Sequence, residues 1–135
     1  METQGRISLA LLALRMGVFM VMLMWTLDKF VNPAHAEQVY AHFYFLDGLG
    51  PTAFLVIGLL ELLLLIGFVG GYQKRLTYGA VFFFHAVSTL STFRLYLDPF
   101  NNLLFLAAWP MLAACFALYL LRDLDTRLVI EGGQR

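Results

Sequence analysis

Four long apolar runs constrain the fold of this chain more than any other feature. They cover residues 7–30, 52–70, 76–93 and 103–121, and each approaches the roughly 20 residues that a helix needs to cross the hydrocarbon of a bilayer. Hydrophobic residues make up 61% of the chain and charged residues only 13%, which is more apolar surface than a small soluble domain can bury. The sequence therefore predicts an all-α integral membrane protein, a four-helix bundle forming a single domain over residues 1–135.

The connections between these runs predict how the helices are joined. In the long connection, residues 31–50, Asn32 provides a helix N-cap and Pro33 suits the first helical position, so a short interfacial helix is expected at about residues 33–46. The other two connections, residues 71–75 and 94–102, are short and rich in turn-forming residues, which makes neighbouring helices antiparallel. The polar residues 122–135 are expected to be a frayed end.

The distribution of lysine and arginine predicts the orientation in the membrane. Lys29 and Arg94 lie on one predicted side, and the opposite side carries six basic residues: Arg6, Lys74, Arg75, Arg122, Arg127 and Arg135. Because cytoplasmic loops are enriched in basic residues, both termini are expected in the cytoplasm. The N-terminal region also resembles a signal peptide, but Arg15 within the first apolar run favours an uncleaved helix.

Several functional classes are excluded or made unfavourable by residue content. The formal net charge is zero and the basic residues are scattered, which argues against nucleic-acid binding. A single cysteine, Cys115, excludes an intramolecular disulfide and a cysteine-built zinc site. His35 and His42 share a helical face but lack a third ligand, and His85 has no histidine partner at membrane depth, so neither metal nor haem is expected.

Three ionisable residues fall at membrane depth, where an unpaired charge is costly: Arg15, Glu61 and His85. At about 1.5 Å per residue from the cytoplasmic ends, they lie about 12, 14 and 14 Å deep. An Arg15–Glu61 ion pair with His85 nearby is therefore expected. As catalytic residues, Glu61 could accept a proton and His85 could exchange one near neutral pH. Alternatively, the pair only fixes how two helices dock.

Further polar residues are candidates for binding a cofactor. Ser88, Thr89 and Thr92 follow His85 at helical spacing and give the third helix one polar face. Ser88 and Thr92 are therefore predicted binding residues, together with three residues near the outer end of the first helix: Trp25, Asp28 and Lys29. The alternatives are that the hydroxyls only bond to backbone carbonyls, and that the outer residues are ordinary interfacial anchors.

Three segments carry a resemblance to a known family. They are residues 14–17 (Leu-Arg-Met-Gly), residues 25–33 (Trp-Thr-Leu-Asp-Lys-Phe, then Asn-Pro at 32–33) and residues 58–62 (Gly-Leu-Leu-Glu-Leu). This pattern resembles the DoxX family of small four-helix bacterial membrane proteins, which is similar to the small subunit of thiosulfate:quinone oxidoreductase. The resemblance implies a bacterial inner-membrane location and a role beside membrane redox chemistry. It covers the first 75 residues, so nothing about His85 follows from it.

Two functions from different classes remain open. The first is a redox-associated membrane subunit, part of a quinone-linked oxidoreductase, in which the Arg15, Glu61 and His85 layer contacts quinone and a protein partner supplies electrons. The second is a non-catalytic anchor or assembly subunit of a larger membrane complex. A transporter or channel is less favoured because the helices lack paired broken segments. Self-association is compatible with each.

Overall fold

The computed structural model describes residues 2–130, and this part of the chain is helical with no strand. The all-α prediction is confirmed. The described residues form six α-helices: α1 Thr3–Val31, α2 Pro33–Tyr44, α3 Pro51–Val69, α4 Lys74–Ser91, α5 Phe93–Tyr96 and α6 Ala108–Leu120. They also form three short 3-10 turns, at Pro99–Asn101, Leu103–Ala107 and Arg122–Leu124.

Three segments are long and apolar enough to cross a membrane by length and composition: Thr3–Val31, Pro51–Val69 and Leu103–Leu120. Helix α4 is the fourth long helix, but it does not meet the same standard. Its first turn carries Lys74 and Arg75, and its second half carries His85 and several hydroxyl residues. Of the four spans that the sequence predicts, three therefore meet this standard among the described residues, and the third predicted span is a more polar helix.

The predicted boundaries agree best for α3 and α4 and least for the last run. Helix α1 begins at Thr3 rather than at residue 7. The last run is not one α-helix, because residues Leu103–Ala107 wind as a 3-10 turn before α6 begins at Ala108. Pro110 lies in the first turn of α6 and has no N–H to donate to the carbonyl of residue 106. This missing hydrogen bond explains why α-helical geometry does not extend back through residues 103–107.

The helix predicted in the long connection is confirmed as α2. It begins at Pro33, and the side-chain oxygen of Asn32 accepts a hydrogen bond from the backbone N–H of His35 at 3.4 Å. This is the capping arrangement that the Asn-Pro pair predicts. The helix ends at Tyr44, because Phe45 adopts a left-handed conformation with φ of 58°.

The four long helices contact one another in a cycle. Helix α1 packs against α3 and α6, and α4 packs against the same two helices. Gly58 of α3 lies beside Phe30 of α1, whereas Gly71, just beyond α3, lies beside Arg15. Helices α1 and α3, which the long connection joins, are therefore antiparallel.

The interior of this helical core is more polar than its surface. Arg15 is the largest fully buried side chain, and His85 and Asp125 are also buried. The outer face of α3, in contrast, exposes a run of large apolar side chains: Leu55, Val56, Leu59, Leu60, Leu63 and Ile66. The buried apolar residues, among them Leu11, Leu65 and Leu118, form one cluster between the helices.

The C-terminal segment, defined as residues 121–130, is folded onto the helical core, which corrects the expectation of a frayed end. The backbone N–H of Ile130 donates to the carbonyl of Gly70 at 2.8 Å, and Asp125 is fully buried. The segment thus covers the end of the core that contains the α3–α4 turn. Residues 131–135 of the predicted tail, including Arg135, lie outside the described residues.

Candidate functional site

The three ionisable residues predicted to share one layer lie in three separate polar clusters. Among the described residues, the ionic partner of Arg15 is Asp125 and that of Glu61 is Lys29. His85 contacts neither residue, and its polar partners are a backbone carbonyl and a threonine. The expected Arg15–Glu61 ion pair is therefore not the one that forms.

Arg15 joins α1 to α4 and to the C-terminal segment. Its Nη1 lies 3.4 Å from Oδ2 of Asp125 and donates to the hydroxyl oxygen of Tyr78 at 3.2 Å. Its Nη2 donates to the carbonyl oxygens of Arg127 and Leu128. The hydroxyl of Tyr78 in turn donates to Asp125 at 2.7 Å. A buried arginine with this many acceptors holds the segment in place rather than facing a cavity.

Lys74 adds a second cation to the Arg15 cluster. Its Nζ donates to the backbone carbonyl of Asp125, and the residue is only 6% exposed. Arg15 Nε and Asp125 Oδ1 are buried without a hydrogen-bond partner among the described residues. The cluster therefore places two cationic side chains around one carboxylate, and removal of that carboxylate would leave both cations uncompensated.

The directions of the side chains explain why Arg15 and Glu61 do not meet. Side chains on a helix lean towards its N-terminus, and α1 and α3 are antiparallel, so the two side chains lean towards opposite ends of the core. Helix α1 is also about 44 Å long at 1.5 Å per residue, well beyond the thickness of hydrocarbon. Depths counted along the sequence give the backbone positions of Arg15 and Glu61. They do not give the positions of the charged groups at the ends of these two side chains.

Glu61 belongs to a cluster at the opposite end of the core. Its Oε2 lies 2.9 Å from Nζ of Lys29 and accepts a hydrogen bond from the hydroxyl of Thr26 at 3.1 Å. Lys29 Nζ also lies 5.7 Å from the ring centre of Tyr40 on α2. Burial, together with the negative charge of Glu61, raises the pKa of Tyr40 above its ordinary value.

Asp28, a predicted binding residue, instead contacts the helix that follows. Its carboxylate lies within hydrogen-bonding distance of the imidazole of His35 on α2, where Asp28 is partly exposed and His35 is exposed. This contact spans the corner at which α1 turns into α2. Its geometry gives Asp28 a role in joining the two helices.

His85 lies between α1 and α6 and is 1% exposed. Its Nε2 is 3.0 Å from the carbonyl oxygen of Ala108, and the hydroxyl of Thr89 is 3.3 Å from the same nitrogen. The indole of Trp25 stacks on the imidazole, with ring centres 5.9 Å apart and planes inclined by 24°. Nδ1 is buried and has no hydrogen-bond partner among the described residues.

A cleft of about 720 Å³ opens beside this histidine, and we refer to it as the His85 cleft. Its walls come from α1, from α4 and from residues 104–114. The polar lining comprises His85, Ser88 and Thr92, and the rest is apolar, including Trp25 and Phe105. This volume and this mixture of many apolar and few polar groups are typical of sites for small organic molecules.

Small residues create the space in the His85 cleft. Gly17 lines it on α1, and a Cβ added at Gly17 would meet no atom within 4 Å. Four alanines line the remaining walls: Ala13, Ala107, Ala108 and Ala114. Because side chains of ordinary size would fill the gap, the cleft is a consequence of where the small residues lie along α1 and α6.

The cleft brings together half of the predicted site residues. Trp25, His85, Ser88 and Thr92 line it, whereas Arg15, Asp28, Lys29 and Glu61 do not. The polar face predicted on α4 is therefore present, but part of it is already used within the helix. The hydroxyls of Thr89 and Thr92 donate to the carbonyls of residues 85 and 89, at 2.8 and 3.0 Å.

Sequence reasoning missed the partners that complete the Arg15 cluster: Tyr78, Lys74 and Asp125. One signal was present, because a buried arginine requires an anion, and three acidic residues follow the last helix: Asp123, Asp125 and Glu131. Which of them pairs with the arginine depends on the path of the chain after α6. That path is set by contacts distant in sequence, such as the one between Ser8 and Thr126 at 3.1 Å.

Two observations complete the description of the site. Within residues 2–130, no group of three or more histidine, cysteine, aspartate or glutamate side chains is placed to hold a metal ion. Comparison of the chain with protein-family models, with curated proteins and with solved structures finds no match.

Proposed function

We propose that this chain is a multi-pass bacterial inner-membrane protein that binds a quinone-type ring in the His85 cleft, as the membrane subunit of a redox system. The observation that carries the proposal is the cleft itself, in which an apolar cavity of about 720 Å³ adjoins a histidine stacked on a tryptophan. In this proposal a partner protein supplies the electrons.

The distribution of polarity supports insertion in a bilayer. The most buried side chains include Arg15, His85 and Asp125, whereas leucines, phenylalanines and methionines dominate the exposed surface. In water this arrangement would expose a continuous apolar surface, but in lipid the same surface is solvated and the polar groups find partners inside.

Helix packing supports four membrane crossings. Helix α4 carries more polar residues than the other long helices, yet it packs against both α3 and α6. If these two neighbours span the bilayer, α4 returns the chain between them at the same depth, and its polar residues face the interior. Four crossings put both termini on one side, and the excess of lysine and arginine makes that side cytoplasmic.

The chemistry of the cleft supports a flat, mostly apolar ligand with one polar group. The half-exposed Trp25 offers a ring face for stacking, and Ser88 offers a hydroxyl close to His85. A quinone head group with a hydrocarbon tail has these properties. The resemblance of the first 75 residues to the DoxX family supports the same ligand class.

The test is a quinone titration of a variant in which Trp25 is the only tryptophan. The chain contains two tryptophans, so a Trp109→Phe background in lipid nanodiscs leaves Trp25 as the single reporter. Addition of a short-chain benzoquinone is expected to quench its fluorescence saturably. Gly17→Leu fills the cleft without a steric clash at Cβ and is expected to weaken binding at least tenfold.

A matched control adds similar bulk elsewhere. Val56→Leu enlarges an exposed residue on the outer face of α3, far from the cleft lining, and is expected to leave binding unchanged. Quenching that does not saturate, or that responds equally to both substitutions, would refute the cleft as the binding site.

A second candidate function, that of an anchor or assembly subunit, is favoured by the internal pairing of Arg15 and Glu61. Both residues are engaged within the chain and away from the cleft, as expected if they serve the fold. This candidate predicts that Glu61→Gln lowers recovery of a complex from native membranes but leaves the turnover of each assembled complex unchanged. Lost turnover in a fully assembled complex would contradict it.

A further inference from the structure

The hydrogen bonds of His85 determine which of its ring nitrogens carries the proton. The carbonyl oxygen of Ala108, 3.0 Å from Nε2, can only accept, so Nε2 must donate. The hydroxyl of Thr89 donates its proton to the carbonyl of His85 at 2.8 Å and therefore also acts as an acceptor towards Nε2. The neutral imidazole thus has its proton on Nε2 and a free lone pair on Nδ1.

The lone pair on Nδ1 is an unsatisfied acceptor on a residue that lines the cleft. The atom is buried and has no partner among residues 2–130. A buried acceptor without a donor is unfavourable, and such atoms in folded proteins usually have a water or ligand partner. A ligand that satisfies this nitrogen must offer an N–H or O–H group, because a carbonyl oxygen would place two acceptors against each other.

We infer that the His85 cleft selects a ring alcohol, the hydroquinone or phenol form of a quinone-type ligand, whose hydroxyl donates to His85 Nδ1. This inference rests on the proposed function and specifies the redox form that the site prefers. Nδ1 is covered in this structure, so the ligand displaces a neighbouring side chain as it enters.

The other polar groups of the cleft do not make this distinction. The hydroxyl of Ser88 can donate or accept, so it binds a carbonyl and an alcohol equally well. The hydroxyl of Thr92 is engaged within the chain, because its oxygen lies 3.0 Å from the carbonyl oxygen of Thr89 and 2.8 Å from the hydroxyl oxygen of Tyr96. Discrimination between the two forms of the ring therefore falls to His85.

Preference for the reduced ring has a measurable redox consequence. A site that binds the hydroquinone more tightly than the quinone makes the bound ring easier to reduce. For a two-electron couple, each tenfold preference raises the midpoint potential of the bound ring by about 30 mV. The preference is one of binding and requires no covalent step.

The test compares two probes that cannot change redox state, an alkylphenol and its methyl ether with the same alkyl chain. Both are titrated into the full chain with the Trp109→Phe substitution, in nanodiscs, with Trp25 fluorescence as the readout. One hydrogen bond to a buried acceptor predicts that the phenol binds about five- to tenfold more tightly. His85→Phe keeps a flat ring but removes the acceptor, so the two probes should then bind equally.

The outcomes separate this inference from the proposed function. Equal affinity of the two probes for the protein with His85 intact overturns the inference but leaves the cleft as a ring-binding site. Tighter binding of the ether also overturns it. Failure of both probes and of the benzoquinone to bind overturns the proposed function as well. If His85→Phe does not fold, His85→Gln, which retains one donor and one acceptor, should preserve the preference for the phenol.

Discussion

Arg15 and Asp125 form an ion pair inside the helical core, with Nη1 of Arg15 3.4 Å from Oδ2 of Asp125 and both side chains fully buried. The pair joins the first long helix to the C-terminal segment, and Tyr78 and Lys74 complete it from α4. Among residues 2–130, Asp125 is the carboxylate that pairs with Arg15, so the segment that carries it is an integral part of the fold.

Asp125→Asn is therefore expected to destabilise the protein strongly. The substitution leaves the cations of Arg15 and Lys74 buried without a carboxylate, and breaking a buried pair in this way typically costs about 3–5 kcal/mol. Thermal unfolding in detergent measures the loss. The double variant Arg15→Met with Asp125→Leu should recover part of the stability, because it removes a buried charge as well as its partner; a double variant no better than Asp125→Asn would contradict this account.

Gly71→Ala is expected to detach the C-terminal segment. Gly71 has φ of 64°, and a Cβ at this position would lie 2.5 Å from Cγ1 of Val129 and 2.7 Å from Nη1 of Arg15. Limited trypsin digestion should then cleave faster after the exposed Arg127. Gly48→Ala is the matched control, since Gly48 has φ of 77° but no atom within 4 Å of the added Cβ. Digestion of Gly71→Ala that is no faster than that of Gly48→Ala would contradict a role for the contact between residue 71 and Val129.

The Lys29–Glu61 pair should contribute modestly to stability and little to ligand binding. Glu61 is partly exposed, with a side-chain accessibility of 31%, so solvent weakens the attraction. A double-mutant cycle with Lys29→Met and Glu61→Gln is expected to give a coupling energy of about 1 kcal/mol. Benzoquinone affinity should be unchanged in each variant, because neither residue lines the His85 cleft. A large loss of affinity would instead connect this cluster to the binding site.

The number of membrane crossings predicts the location of the termini. In the proposed topology, four crossings with α4 as the third put both ends on one side, and the excess of lysine and arginine makes that side the cytoplasm; three crossings would put the ends on opposite sides. Fusions of alkaline phosphatase and of green fluorescent protein to each terminus distinguish these cases, because each reporter is active on only one side of a bacterial inner membrane. Phosphatase activity at either end would contradict the proposed topology.

Local sequence signals predicted a large part of the fold. Apolar runs placed α3 and α4 within a few residues of their bounds, and Asn32 with Pro33 marked the start of α2. These elements depend on hydrophobicity and capping, which act over a few residues of chain. The polar face of α4 was also predictable, because helical periodicity places His85, Ser88 and Thr92 together.

The partners of the ionisable residues were not predictable in this way. The sequence shows that Arg15, Glu61 and His85 fall in apolar runs, and hence that each requires a partner. It does not show the direction in which a long side chain leans, nor the path of a polar segment after the last helix. Both are decided by packing between residues far apart in sequence, such as Gly71 against Val129.

By itself, then, the sequence determined that the chain is helical and that its polar residues would be enclosed within apolar helices. Only the tertiary structure decided that Arg15 pairs with Asp125, that Glu61 pairs with Lys29, and that His85 is left with a free nitrogen beside a cleft. The physical reason is that hydrophobicity and helix formation act locally along the chain. The pairing of charges and the gaps left by small residues, in contrast, depend on how separate helices meet.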